Sequence, residues 1–305
     1  MSIKIVYMGT PEYAKVILEA LVDDEDFETI LVITQPDRPV GRKRVLTPPP
    51  VKRFAIENGL EVFQPKSLKN DEITDKIRAK NPDFIVVAAY GQILPREILD
   101  IAPCINLHAS LLPKYRGASP VQEAILNGDE FTGVTAMMME EGLDTGAMLS
   151  FNYVKLSENI RVDELMETLS VMAGELITKT LKNYHSLKAL PQLDALSSHC
   201  KKIKRDDGLI DFSLSAKEVY TRFRAFYRWP DIFFGNGLKL LEISLVDEVS
   251  NSNAGEILKI DGDSVLVAFS RGTIKIKTLQ PKGKKPMSAK AYLVGRGLRV
   301  GDKIL

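Results

Sequence analysis

Cysteine, histidine and tryptophan are scarce in this chain: two Cys, three His and one Trp among 305 residues. Cys104 and Cys200 are far apart, with no second thiol and no regularly spaced His beside either. A disulfide framework and a cysteine-rich zinc site therefore both lack material, and no metal is expected. Long apolar runs are missing as well. Nothing approaches the roughly 18 residues of a membrane span, and the opening MSIKIVYMG is cut short by Gly9, Pro11 and Glu12 before it reaches the length of a signal peptide. No membrane partner is expected, and the expected location is the cytoplasm. Net charge is nearly absent, 41 basic against 40 acidic residues for +1, which by itself points to no polyanionic partner. What is present, 45% hydrophobic and 27% charged residues, is the composition of a soluble globular protein, long enough for one large domain or two ordinary ones.

The charge that does occur is unevenly spread. Residues 201–305 hold 20 Lys and Arg against 12 Asp and Glu, a balance of +8, which leaves 21 against 28, or −7, for residues 1–200. A basic C-terminal third is the footprint of contact with nucleic acid or another anionic surface, although ordinary solvated lysines give the same count.

Short β-branched runs alternate with amphipathic segments through the first half. Ile3 to Met8, Ile30 to Thr34, Phe84 to Ala89 and Ile101 to His108 read as strands, and Tyr13 to Leu21 and Asp71 to Lys80 as helices, the second capped by Asn70. This alternation predicts an α/β fold: a parallel-dominated sheet covered on both faces, with ligands at the carboxyl ends of its strands. Thr10 and Pro11 are expected to cap and open the first helix. Ser119-Pro120-Val121-Gln122 reads as another helix start, Thr132 to Met139 and Ala147 to Leu156 as two further strands, and Val162 to Tyr184 as a long closing helix. These elements give a first domain over 1–188, a linker at 189–204 where periodicity fades, and a second domain over 205–305. The second domain reads as a capped helix, Ser215 to Phe226, among short strands, and so as a small barrel-like β domain.

Chemistry can sit in three places. Asn106 and His108 share one face at the carboxyl end of a predicted strand, because successive side chains alternate, and a Ser-Leu-Leu-Pro turn follows. A lone His is commonly a hydrogen-bonded structural residue; the neighbouring Asn and the turn favour a functional one. Asp144 lies in Gly142-Leu143-Asp144-Thr145-Gly146, where turn formation alone accounts for it; its functional reading is as the carboxylate that orients His108. The connector Gln35 to Pro50 carries Arg38, Arg42, Lys43 and Arg44 against the single acid Asp37, and it reads equally as a phosphate grip or a solvated loop.

With these residues in hand, the chain resembles the folate-dependent formyltransferase family. The shared segments are GTPEYA (Gly9 to Ala14), QPDRPVGR (Gln35 to Arg42), VVAAYGQILP (Val86 to Pro95), INLHASLLPKYRGASP (Ile105 to Pro120), GVTAMMMEEGLDTG (Gly133 to Gly146) and LQPKGKKPMSA (Leu279 to Ala289). The HASLLPKYRG and LDTG blocks resemble the family as a whole. The basic loop and the LQPKGKKPMSA tail resemble the branch that acts on initiator methionyl-tRNA.

The resemblance implies a Rossmann-like formyltransferase domain followed by a small OB-like β-barrel domain. It implies Asn106, His108 and Asp144 as the catalytic set, with 10-formyltetrahydrofolate as cosubstrate. Ser110, Leu111, Leu112 and Pro113 would border the folate, and Tyr90, Gly91, Gln92, Ile93 and Leu94 would line the pterin pocket. Initiator methionyl-tRNA is the implied partner, Arg38, Arg42, Lys43 and Arg44 are its expected contacts, and a monomer is expected. Two alternatives remain: a formyltransferase for a sugar-nucleotide or other small amine, which needs no basic second domain, and a non-catalytic RNA-binding module, which leaves the three polar residues without a joint purpose.

Overall fold

In the computed structural model, which describes residues 2–41 and 43–305, the first 200 residues form strands β1 (Ile3–Gly9), β2 (Phe27–Ile33), β3 (Arg38–Val40), β4 (Val45–Thr47), β5 (Val62–Phe63), β6 (Phe84–Ala88), β7 (Cys104–His108), β8 (Arg116–Gly117), β9 (Phe131–Met138), β10 (Met148–Lys155) and β11 (His199–Cys200), of which β3, β4, β5, β8 and β11 are additional to the expected ones. Helices α1 (Glu12–Val22), α2 (Pro50–Glu57), α3 (Asp71–Ala79), α4 (Arg96–Leu99), α5 (Pro120–Leu126) and α6 (Val162–Lys182) alternate with them. The chain divides into two units: residues up to 121, 130–156 and 164–201 form the first, and 122–129, 157–163 and 202–305 the second.

The first unit is built on a seven-stranded sheet ordered β10-β9-β7-β6-β1-β2-β5. Its pairs from β5 through β7 are parallel, and β9 and β10 are antiparallel. Every residue of β6 is buried, as expected where helices cover both faces. Because β1 lies inside the sheet and the chain runs from it first to one side and then to the other, the carboxyl ends of β1, β6 and β7 meet at the switch point of an open α/β sheet.

Local differences from the sequence reading have identifiable causes. The strand expected from Ile101 begins only at Cys104, because Ile101 closes the turn after α4 (its N–H donates to the Ile98 carbonyl, 3.1 Å) and Pro103 has no ladder N–H. Thr10 does not cap α1. The cap position is Pro11, and the Thr10 hydroxyl instead donates to the Tyr90 carbonyl at 3.2 Å. Asn70 does cap α3, accepting from the Glu72 N–H at 3.0 Å. The connector Gln35 to Pro50 holds a small antiparallel hairpin, Arg38 to Val40 against Val45 to Thr47, and Pro50 already opens α2. Paired β-branched Val40 and Val45 close that hairpin across the turn. Of the expected linker, residues 189–201 belong to the first unit, where Leu190 bridges Met148 and β11 pairs with β8.

The second unit contains β12 (Leu209–Ile210), α7 (Ala216–Ala225), β13 (Ile232–Phe234), β14 (Lys239–Asp247), β15 (Ile257–Asp261), β16 (Ser264–Ala268), β17 (Thr273–Gln280), β18 (Met287–Ser288) and α8 (Ala289–Val294). The sheet runs β12-β13-β14-β17-β16-β15 with β18 on β17, antiparallel apart from β12 with β13. Phe212 packs against Phe234 and Phe269 in its core, with ring centroids 4.9 and 5.1 Å apart. Ser215 and Glu218 form the reciprocal capping box that their spacing predicts, so α7 starts where the sequence places it.

Candidate active site

Asn106 and His108 leave β7 on one face, opposite Met137 and Thr135 of β9. The turn that follows is held by its neighbour strand. The Thr135 hydroxyl donates to the Ser110 carbonyl at 2.7 Å and accepts from the Leu112 N–H at 3.1 Å. Ser110 itself is fully buried, and its hydroxyl donates to the Lys114 carbonyl at 2.6 Å. The Leu112–Pro113 peptide is cis.

The fold brings Asp144 to this edge. Asn106 Nδ2 donates to Asp144 Oδ1 at 3.5 Å, the outer limit of a hydrogen bond, and the Gly117 N–H donates to Asp144 Oδ2 at 2.8 Å. His108 Nδ1 lies 3.7 Å from Oδ2, an ion-pair contact rather than a hydrogen bond, between side chains only 7% and 14% exposed. The other ring nitrogen, Nε2, donates to the Tyr115 carbonyl at 2.8 Å. Both nitrogens therefore face oxygens that only accept, with a hydrogen bond at Nε2 and a longer charge contact at Nδ1.

Three features fix Asp144. Its backbone is left-handed (φ 53°), in a turn whose Gly146 stands so close to Met138 that a Cβ there would lie 1.8 Å from the carbonyl oxygen. The Gln192 amide donates to the carbonyls of Asp144 (2.9 Å) and Gly146 (2.8 Å). Gln192 is held in turn by Arg116, whose Nε donates to its Oε1 at 2.9 Å, while Nη2 pairs with Asp194 at 2.9 Å. Gly117 has φ 121°, and β11 passes so near that a Cβ would lie 2.3 Å from the Cys200 carbonyl oxygen. The sequence reading did not single out Tyr115, Arg116, Gly117 or Gln192. Their roles depend on partners up to 85 residues away, and Gln192 lies in a stretch without periodicity.

The expected folate residues occupy the same edge, after β6 and β7. Tyr90 and Leu94 are buried in the core with Ile98 and Leu68, whereas Gly91 and Ile93 are exposed and Gln92, Leu111 and Pro113 partly so. Leu112 is buried, like Ser110. Burial pushes the Tyr90 hydroxyl up to about 12, so it stays neutral. Of the expected tRNA contacts, Arg38 lies on β3, Lys43 and Arg44 are exposed in the hairpin turn, and Arg42 lies outside the described residues. The loop's acid is engaged elsewhere: Asp37 accepts from Lys52 (2.8 Å) and Gln64 (2.8 Å), and the Lys52 contact first, then Gln64, holds its carboxyl below the usual range.

Comparisons with known proteins show the family. The chain matches the formyl transferase family over residues 1–181 and the formyl transferase C-terminal domain over 202–297. A methionyl-tRNA formyltransferase from a Sulfurovum species is 55% identical over 305 residues, with both chains covered in full. One from Campylobacter curvus is 53% identical over 302 residues, 98% of this chain and 99% of that one. Among solved structures, the sugar 3N-formyl transferase WlaRD, determined in the presence of dTDP and 5-N-formyl-THF, has a TM-score of 0.66 at 22% identity, covering 93% of this chain and 100% of that one. HypX from Aquifex aeolicus in complex with tetrahydrofolic acid has a TM-score of 0.65 at 15% identity. There, 96% of this chain covers 47% of the HypX chain, so this chain spans less than half of HypX. At these identities the two structures share the fold.

The close packing at Gly117 sets a prediction. Gly117→Ala should lower stability by about 3 kcal/mol in urea unfolding, from strain at positive φ together with the contact on Cys200. A change below about 0.5 kcal/mol would show that β8 and β11 do not constrain this position.

Proposed function

Because the chain belongs to the formyl transferase family in both its N-terminal and its C-terminal parts, we propose that it transfers a formyl group from 10-formyltetrahydrofolate to the free amino group of initiator methionyl-tRNA, in the cytoplasm, for the start of translation. The observation that carries this reading is the convergence of Asn106, His108 and Asp144 at the carboxyl edge of the sheet. Relatives at 53–55% identity over nearly the whole chain bear methionyl-tRNA formyltransferase as their name. Incubation with 10-formyltetrahydrofolate and charged initiator tRNA, with an amino-sugar nucleotide as the competing acceptor, tests it by mass analysis of both acceptors. Formylation of the sugar alone would reassign the substrate.

The residues beside the cluster suit a folate. Exposed Ile93 and partly exposed Leu111 offer apolar surface for a flat ring system, and Gly91 leaves the approach open, with nothing within 4 Å of where its Cβ would be. When bound, 10-formyltetrahydrofolate would supply an activated formyl group. Each Asn106 amide has two N–H groups; one meets Asp144, and the second serves to donate to the formyl oxygen as negative charge grows there, a contribution of roughly 3 kcal/mol for donors of this kind. His108 is committed at Nε2 to Tyr115, so its working proton is at Nδ1. The 3.7 Å gap to Asp144 leaves room for that proton to be shared with a reacting oxygen. Asp144, acceptor for the Gly117 N–H, would through a water take a proton from the acceptor's ammonium, so that the free amine attacks the formyl carbon, and that proton would pass on to the folate nitrogen as its bond to the formyl carbon breaks.

Recognition of tRNA falls to the +8 C-terminal region and to the hairpin after β2. Register shifts in β14 against β17 bend that strand, which supports an OB-like reading of the second unit. With Asp37 engaged by Lys52, exposed Arg38, Lys43 and Arg44 are available to meet phosphates, and the hairpin's position after β2 puts it at the carboxyl edge of the sheet, the same edge as the cluster.

Two outcomes follow. His108→Ala and Asp144→Asn should each cut the single-turnover rate by about 100-fold or more while leaving affinity for a stable folate analogue within about twofold, since their work is in the transition state. Rates equal to the native one would remove both from the chemistry. Lys43→Gln combined with Arg44→Asn, the Asn chosen because position 44 has φ 49°, should flatten the salt dependence of tRNA binding by up to about two units of log–log slope. An unchanged slope across a salt series would leave the hairpin a solvated loop.

A further inference from the structure

Gln192 is the one side chain among the described residues whose amide is recorded bridging both carbonyls of the turn that carries Asp144. A left-handed aspartate in a glycine-flanked turn has no ladder to hold it, so its carboxylate position depends on what grips its backbone. The grip is itself oriented. Oε1 of Gln192 accepts from Arg116 Nε, which leaves both N–H groups of the amide for the two carbonyls and rules out the flipped amide. Arg116 is 3% exposed, and its backbone N–H donates to the Ser198 carbonyl at 2.8 Å. Its next residue in the chain, Gly117, supplies the N–H that holds the Asp144 carboxylate. One buried guanidinium thus sits between the two attachments of Asp144: its side chain orients the Gln192 amide on the backbone side, and its own strand presents the donor on the carboxylate side.

We propose that Gln192 is a positioning residue for formyl transfer, acting through Asp144 by fixing the turn that sets the carboxylate against His108 and Asn106. The inference rests on the reading of Asp144 as catalytic. Displacing a reacting group by an ångström costs on the order of 100-fold in rate, so loss of both carbonyl contacts should lower kcat by about 10- to 100-fold with KM for the folate little changed. A double-mutant cycle separates this role from general stability. Gln192→Leu is compared with native protein, and again in the Asp144→Asn background, in single-turnover formylation. Gln192→Glu is the second variant; it keeps an acceptor for Arg116 but has no N–H for the carbonyls. Melting temperature and affinity for 5-formyltetrahydrofolate are measured beside them, and a crystal structure of Gln192→Leu reports the Asp144 Oδ2 to Gly117 N distance independently of activity.

The expected result is a 10- to 100-fold loss for both Gln192 variants in the native background, shrinking to about twofold or less with Asp144→Asn, and a lengthened Asp144 to Gly117 contact. An equal fold-loss in both backgrounds, or native kcat in Gln192→Glu, overturns the positioning role while leaving the catalytic reading intact. Native activity in Asp144→Asn alone overturns the catalytic reading, and the inference with it.

Discussion

A carboxylate that is only 14% exposed is costly unless hydrogen-bonded, and the site is arranged around meeting that cost for Asp144. One oxygen takes the Gly117 N–H at 2.8 Å and faces the His108 ring; the other takes the Asn106 amide. Each of these partners is fixed by a further element. Gly117 lies in β8, which β11 holds; His108 is tied through Nε2 to the Tyr115 carbonyl; and the Tyr115 N–H donates to the Ser198 hydroxyl at 2.9 Å. The segments 113–119 and 190–201 are thus drawn together around one negative charge, and the Ser119 hydroxyl, donating to the Lys201 carbonyl, ends the seam.

Much of this was legible in the sequence where the physics is local. The alternation of β7 placed Asn106 and His108 on one face, and the βαβ rhythm placed that face at the carboxyl edge of a parallel-dominated sheet. Capping residues located α3 and α7. Asp144 was different: its own neighbourhood says only that a turn is present, and its reading as the carboxylate that orients His108, 36 residues earlier, was preferred over the turn alone only through the family resemblance. Gln192 carried no signal, and Arg116 stood only inside the HASLLPKYRG block with no role of its own, because a glutamine in an aperiodic stretch and an arginine after a lysine and a tyrosine look like surface residues until the fold buries them. The hairpin at 38–47 was hidden by Pro39 and the prolines that flank it, which weaken a strand signal without preventing the Val40 to Val45 pairing.

Charge and chemistry are separated along the chain. The cluster of Asn106, His108 and Asp144 belongs to a region with a balance of −7, and the net positive charge, +8, lies in residues 201–305, where acidic residues are fewer. That separation suits an acceptor whose reacting amine is small but whose body is a polyanion: the cluster needs to see only the amine and the formyl group, while phosphate contacts made elsewhere supply affinity.

The most direct measurement is a crystal structure with 5-formyltetrahydrofolate, which carries a formyl group but does not transfer it readily. The formyl group should lie at the carboxyl edge of β6 and β7, its oxygen within about 3 Å of Asn106 Nδ2 or His108 Nδ1, the distance an oxyanion donor requires. A folate bound with its formyl group beyond hydrogen-bond or single-water reach of Asn106, His108 and Asp144 would contradict the assignment of the reaction to this cluster.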